Sequence, residues 1–407
     1  MRNCLTIRRR VQGIGSRESE FGGRVKSWAE ISSARLAENF RAVRSAAGAG
    51  VETLAVIKAN AYGHDAAICS QVLVEAGAHW LGVSDVEEGA ALREVVPHSG
   101  LRVLVMSGME IADAPGLVLH GLTPVVWTAD HVTAMERAAR ASGLRVNVHL
   151  EIETGMARQG VAVGPDLARV LERLADSRWV HCEGVMTHLC CSEVVGAQTT
   201  KVAQDIFRVA LEQVAAAGVK PDFVHLANTS AVDEGSTLTW LRARAKAMEA
   251  RAMVRVGLGL YGHCLEIEGE APHRLQPKLA PVLSWKTQVI GLREIEAGAT
   301  VGYGATFVAP RKMRLALLPV GYADGFRRAA SSGVGDGWVI IAGKRAAVMG
   351  RVSMNLTVVD VSAIDRVYEG MEVLLLGDGV TAEDQARWSG TISYDILCGI
   401  RARMVKE

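Results

Sequence analysis

The residues best placed to do chemistry lie in the stretch AVIKANAYGHD, Ala55 to Asp65, where an apolar run stops on Lys58. An Asn, a Tyr, a Gly and a His follow within six residues. A lysine at a buried strand end is costly to keep charged unless it is paired or used covalently. A neutral amine in such a place can condense with a carbonyl. The bland alternative is a lysine whose stem is buried and whose head reaches water. Three more polar residues close or interrupt apolar runs: His188 in WVHCEGVMTH, Asn228 in FVHLAN and Arg255 in MVRVGL. Each alone also reads as a satisfied core residue. Four of them at strand ends point to one rim.

The elements that must position this rim are legible as texture. From residue 54 to about 260, apolar runs at 54, 79, 101, 123, 145, 179, 223 and 253 alternate with amphipathic stretches. DAAICSQVLVEAGA and TKVAQDIFRVALEQVAAAG are examples, opening on Asp or Thr and closing on Gly as capped helices do. The runs are apolar almost throughout, which suits parallel strands buried on both faces. Eight strands with helices between them predict an α/β fold built on a (β/α)8 TIM-type barrel, with a doubly wound open sheet as the alternative. After about residue 270 the texture turns to short strands and Gly-containing turns, as in VLSWKTQVIGLREI, which predicts a separate all-β domain. The expected layout is an extension over residues 1–24, a strand within 25–35 pairing with the C-terminal domain, the barrel over 36–268 and the β-domain over 269–407.

Composition narrows the function. Over 407 residues the chain is 49% hydrophobic and 22% charged with a formal net charge of +1, an ordinary globular balance. No global field favours nucleic acid or an anionic membrane. Seven scattered cysteines form no CxxC pair, and vicinal Cys190 and Cys191 are poorly placed for an ordinary disulfide. A reducing, cytoplasmic setting is the simplest reading. The N-terminus is basic but lacks the apolar region of a secretory signal. No metal is called for.

Nine segments, VIKANAYGHD, ETGMARQGV, MTHL, HLANTSA, VRVGLGLYG, VGYGATF, LPVGYADG, GRVSMN and TISYDIL, occur in an order that resembles the fold-type III pyridoxal-phosphate racemases, the alanine racemases in particular. The resemblance covers roughly residues 27 to 400 and implies a barrel followed by a β-domain. It implies that Lys58 holds pyridoxal phosphate covalently. Tyr62, Thr229 (where the family usually has serine), Tyr394 and the backbone of Gly257 and Leu258 would hold its phosphate, with His188, Asn228 and Arg255 completing the cofactor site.

The resemblance also implies two bases on opposite faces of the substrate, Lys58 and Tyr303. A tyrosine is a poor base at neutral pH without a hydrogen bond or positive charge beside it. His188 and Arg255 would form a chain behind it. Arg255 would face the pyridine nitrogen, which it cannot protonate in the way a carboxylic acid would. Arg158 would hold the substrate carboxylate. Tyr303 and Met354 would come from the partner subunit, making a homodimer with shared sites. Arg351, Tyr322 and Glu193 match positions along the access channel. The small substrate would be alanine, feeding D-alanine to peptidoglycan.

Two departures bear on specificity. Glu151 stands where many family members carry a carbamylated lysine, and Asn355 where the family usually has Asp. Glu151 would serve Arg158 directly, or a water or anion would fill the gap. The alternatives are a serine or broad-specificity racemase, a pyridoxal-phosphate decarboxylase of the same architecture, or a cofactor carrier.

Overall fold

The computed structural model describes residues 25–97, 100–271 and 273–407; the extension expected over 1–24, with Cys4, lies outside the described residues. The chain divides into two compact units. One holds Glu30–Ser284, Thr381–Ile400 and Lys406–Glu407; the other holds Trp285–Val380, Arg401–Val405 and the described residues of Met1–Ala29.

Strand β1 (Ser27–Ile31) precedes eight parallel strands of the first unit that close into a barrel. They are β2 (Val51–Val56), β3 (Trp80–Val83), β4 (Arg102–Val105), β5 (Thr123–Val126), β6 (Val146–Glu151), β7 (Val180–Met186), β8 (Phe223–Ala227) and β9 (Arg251–Val256). Each pairs with the next, and β9 returns to β2 with Leu54 opposite Arg255. This is the (β/α)8 barrel that eight apolar runs predict, and β3, β5 and β8 are buried at every residue. The intervening helices bury one stripe each. Ala129–Ser142 buries Val132, Ala134, Met135, Ala138 and Ala139, opens on Thr128 accepting from the His131 N–H, and ends on Gly143 at φ 67°.

The second unit is β-rich. β10 (Leu283–Gln288), β15 (Trp338–Ile341), β16 (Lys344–Ala347), β18 (Glu372–Leu376) and β19 (Arg403–Lys406) join β1 in a six-stranded sheet of order β16-β15-β18-β10-β1-β19. β11 (Gly291–Ile295), β14 (Met313–Leu318) and β17 (Thr357–Asp360) form a second sheet, and β12 (Thr300–Val301) pairs with β13 (Phe307–Val308). Buried Trp285 packs against Phe326, their ring centroids 6.3 Å apart.

The structure corrects the uniform β-domain expected over 269–407. Residues 381–400 form two helices, Ala382–Ser389 and Ser393–Cys398, that belong to the barrel unit. Thr381 and Asp384 close a capping box at the first, Gly390 ends it in the left-handed region, and buried Trp388, Ile396 and Leu397 supply the apolar face. Residues 274–280 are tied to the barrel as well. Asp233 Oδ1 accepts from the N–H groups of Arg274 and Leu275, and Asn39 bonds both N–H and C=O of Ala280. Among the described residues no helix is long and apolar enough to cross a membrane.

Candidate active site

A cavity of about 470 Å³ opens where the barrel strands end. Its lining brings together Lys58, Tyr62, Arg158, His188, Asn228, Thr229, Arg255, Gly257, Leu258 and Tyr394, each singled out from sequence. Lys58 follows β2 by two residues, His188 follows β7 by two, Asn228 follows β8 by one, and Arg255 lies within β9. Glu193 belongs to the barrel unit, whereas Tyr303, Met354, Arg351 and Tyr322 belong to the other unit. Tyr303 is 73% exposed there and Met354 56%. Arg351 lies against Gly302 and Gly304, the neighbours of Tyr303, and Tyr322 is exposed. Glu193 is not among the lining residues, though its carboxylate acts on the Tyr394 phenol.

Lys58 is carried by an unusual backbone. Ala59, Asn60, Ala61 and Tyr62 are consecutive residues with φ between 52° and 56°, a left-handed turn built without glycine. Each such residue costs roughly 1–2 kcal/mol, so the surroundings must enforce it. Two residues without a sequence-assigned role do so. His64, fully buried, bonds through Nδ1 to the carbonyls of Ala61 and Tyr62 at 3.1 and 3.0 Å, so Nδ1 carries the proton. Glu88 accepts from the Ala59 N–H at 2.7 Å and from Ser84 N–H and O–H at 2.8 and 2.7 Å. Burial and the Arg158 guanidinium push the Lys58 ammonium below its usual range, with Glu88 opposing and Arg255 adding to the effect. The amine is therefore easier to present neutral than a surface lysine.

Arg255 is buried at the cavity wall and gives three of its five donors to acceptors. Nη2 donates to the Thr187 carbonyl at 2.7 Å and to His188 Nδ1 at 3.0 Å, and Nη1 donates to His225 Nδ1 at 3.0 Å. Burial pulls the guanidinium down to about 10, with Glu151 opposing and Arg158 adding, which leaves it charged at neutral pH. Burial, then Arg255, Arg158 and Lys58, hold His188 down to about 3. His188 is thus a neutral hydrogen-bond donor through Nε2, not a positive charge.

The cavity is also lined by neutral polar groups. Tyr62 lies so close to Gly257 that a Cβ there would fall 2.2 Å from its Oη, so only glycine leaves room for the phenol. Burial raises the Tyr62 phenol above its usual range and pushes Tyr394 up to about 12, so both keep their protons; their rings lie 5.9 Å apart. Thr229 Oγ1 accepts from the Gly259 N–H at 3.3 Å. Asn228 Oδ1 accepts from Ser192 Oγ at 2.8 Å and from the Ala231 N–H at 3.0 Å, which caps the helix Thr229–Glu234.

Glu151 lines the same cavity, and its hydrogen-bond partner among the described residues is the Gln159 amide rather than Arg158. Gln159 also donates to the Met106 carbonyl at 2.9 Å. Burial raises the Glu151 carboxyl, while Gln159, Arg255 and Arg158 pull it back. Sequence reasoning assigned no role to Glu88, Gln159, His64 or His225. The only local signals were a histidine inside an apolar strand at His225 and the histidine closing KANAYGH.

The sequence profile described as alanine racemase, N-terminal domain, matches residues 31–264, and that described as alanine racemase, C-terminal domain, matches residues 282–407. An alanine racemase of Symbiobacterium thermophilum is 35% identical over 391 residues, covering 95% of this chain and 97% of the relative. One from Cutibacterium acnes is 34% identical over 388 residues, covering 93% and 96%. Among solved structures, the alanine racemase from Streptomyces coelicolor A3(2) superposes with a TM-score of 0.84 at 31% identity, over 94% of this chain and 98% of that one.

Proposed function

The chain belongs to the alanine racemase family, and we propose that it interconverts L-alanine and D-alanine by proton transfer between two bases, with pyridoxal phosphate as cofactor. The observation that carries this reading is the Lys58 amine, its proton affinity suppressed, in one cavity with Arg255, His188 and a cluster of neutral hydroxyl donors.

The donor set fits pyridoxal phosphate. The Tyr62, Thr229 and Tyr394 hydroxyls and the close-approaching Gly257 backbone suit a phosphate dianion, and a nucleophilic amine stands in the same cavity for its aldehyde. When bound, the cofactor supplies the electron-withdrawing ring that acidifies the substrate Cα–H. Lys58 would hold the cofactor, and its amine would move the proton on one face of the substrate. Arg158 holds the substrate carboxylate, where a planar fork gives two parallel bonds. Arg255 would offer the cofactor ring nitrogen a group that only donates and so could not protonate it as a carboxylic acid would. His188, fixed by Arg255 with its proton on Nε2, donates to the second base.

That base is Tyr303, and exposed Met354 accompanies it. We assign both to the cavity of a second copy, so the working form is a homodimer with shared sites. D-Alanine made in the cytoplasm would supply peptidoglycan.

The test is chiral analysis after incubating purified, cofactor-loaded protein with L-alanine, L-serine and bulkier L-amino acids in turn. D-Alanine should accumulate toward a racemic mixture with little product from the others. No D-product from any substrate, in protein that carries the cofactor, would sink the proposal.

A further inference from the structure

Behind Arg255 a line of polar side chains crosses the barrel interior. Arg255 Nη1 meets His225 Nδ1 at 3.0 Å, and His225 Nε2 meets His149 Nδ1 at 3.0 Å. His149 Nε2, which has no hydrogen-bond partner among the described residues, lies 3.6 Å from Glu183 Oε2. Glu183 in turn is held by Arg102, whose guanidinium sits 4.7 Å over the Trp80 ring and is partly open to solvent. The line starts in the cavity and ends at the first residue of β4, the opposite end of the barrel.

Both imidazoles are fully buried, and the barrel makes room for them. A Cβ on Gly184 would fall 2.6 Å from His149 Nδ1, so β7 carries a glycine where the ring lies against it. Burial holds both rings neutral. Hydrogen-bond polarity then leaves one arrangement. A guanidinium only donates, so His225 Nδ1 must accept and its proton sits on Nε2. That N–H donates to His149 Nδ1, which places the His149 proton on Nε2, directed at the Glu183 carboxylate. Shifting the His149 proton to Nδ1 would force the His225 proton onto its own Nδ1, and two donors would then face each other at Arg255.

We propose that Glu183 is a positioning residue: by holding the Nε2–H forms of His149 and then His225, it sets the acceptor that fixes Arg255 in the cavity. Arg102 orients the carboxylate. The chain is an orientation relay and moves no proton. Its kinetic consequence rests on the racemase reading, whereas the tautomers do not.

The test uses ¹⁵N-histidine-labelled protein, cofactor-free and loaded, with long-range ¹H–¹⁵N correlation to read each tautomer, alongside kcat and KM. In the wild type both His149 and His225 should be Nε2–H. Glu183→Gln removes the carboxylate charge that favours the His149 Nε2–H and leaves only Arg255 opposing the other tautomers, so both histidines should gain some Nδ1–H form together. Its kcat should fall about tenfold with KM nearly unchanged, because Arg255 is displaced while substrate binding is not. Arg102→Lys, which keeps the charge, should retain the wild-type tautomers. An Nδ1–H form of either histidine in the wild type would overturn the proposal, as would Glu183→Gln with both tautomers unchanged. If that variant does not fold, Glu183→Asp must still shift both resonances together, and an unmoved His225 would refute the relay. Correct tautomers in a protein without racemase activity would remove the functional reading and leave the relay standing.

Discussion

Nη2 of Arg255 lies 3.0 Å from Nδ1 of His188, a contact with one possible polarity. Because arginine has no acceptor, His188 must be neutral at Nδ1 and donate through Nε2. Burial and three neighbouring cations reinforce this by holding its pKa at about 3. Arg255→Lys would keep the charge but not the fork that reaches Thr187, His188 and His225 at once. Losing charged hydrogen bonds costs about 1.5–3 kcal/mol, or about ten- to a hundredfold in kcat if the loss falls on the transition state. The kcat/KM profile of the wild type should show no inflection near the ordinary histidine value. A break there that disappears in His188→Gln would contradict the assignment.

The exposure of Tyr303 allows a direct test of subunit sharing. Lys58→Ala and Tyr303→Phe should each be nearly inactive, with Tyr303→Phe still carrying the cofactor. Mixing equal amounts under conditions that exchange subunits should restore about a quarter of wild-type activity, since half the dimers are mixed and each has one intact site. Recovery of nothing, with exchange verified by mass, would mean both bases come from one chain.

Much of this site was legible because its residues interrupt strong patterns. Lys58, His188 and Asn228 each follow the last apolar residues of a barrel strand, and strand ends are where a barrel keeps its chemistry. What stayed hidden depends on register and on long-range approach. His149 and His225 lie on non-adjacent strands, and nothing in either run says that their rings meet at 3.0 Å. Glu88 is one of two glutamates in DVEEG, and only the fold brings it under the Lys58 turn. The helices of 381–400 carry a capping box in TAED and a closing Gly390, signals masked by the β-rich texture before them.

The left-handed turn at Lys58 yields two stability effects of opposite sign. Ala59 has φ 53°, where glycine pays no steric cost, so Ala59→Gly should be neutral or stabilise by up to about 1 kcal/mol despite its looser unfolded chain. His64→Ala removes the ring donor to the Tyr62 and Ala61 carbonyls, the latter keeping the backbone N–H of residue 64 at 3.0 Å, and should cost about 1–3 kcal/mol. Urea unfolding of both variants measures this. A His64→Ala protein as stable as the wild type would show that the turn holds itself.

Acid stability follows from the same burial. His64 is held down to about 3 by burial, with the Tyr62 carbonyl bond opposing; burial also lowers His149 and takes His225 well below its ordinary value. All three are fully buried. Above about pH 6.5 these histidines are neutral in the folded and unfolded chain alike, so they impose no pH dependence. Below it the unfolded chain takes up their protons and the folded one does not. Stability therefore falls with pH, by about 1.4 kcal/mol per unit for each histidine. With His188, also held down to about 3, they make the slope below about pH 6 steeper than a single histidine gives, before the carboxylates begin to contribute. Urea midpoints taken from pH 8 to pH 5 should stay level to about 7 and then drop steeply. A slope matching a single proton would mean that most of these rings accept charge in the folded barrel, and a charged His225 could no longer accept from Arg255.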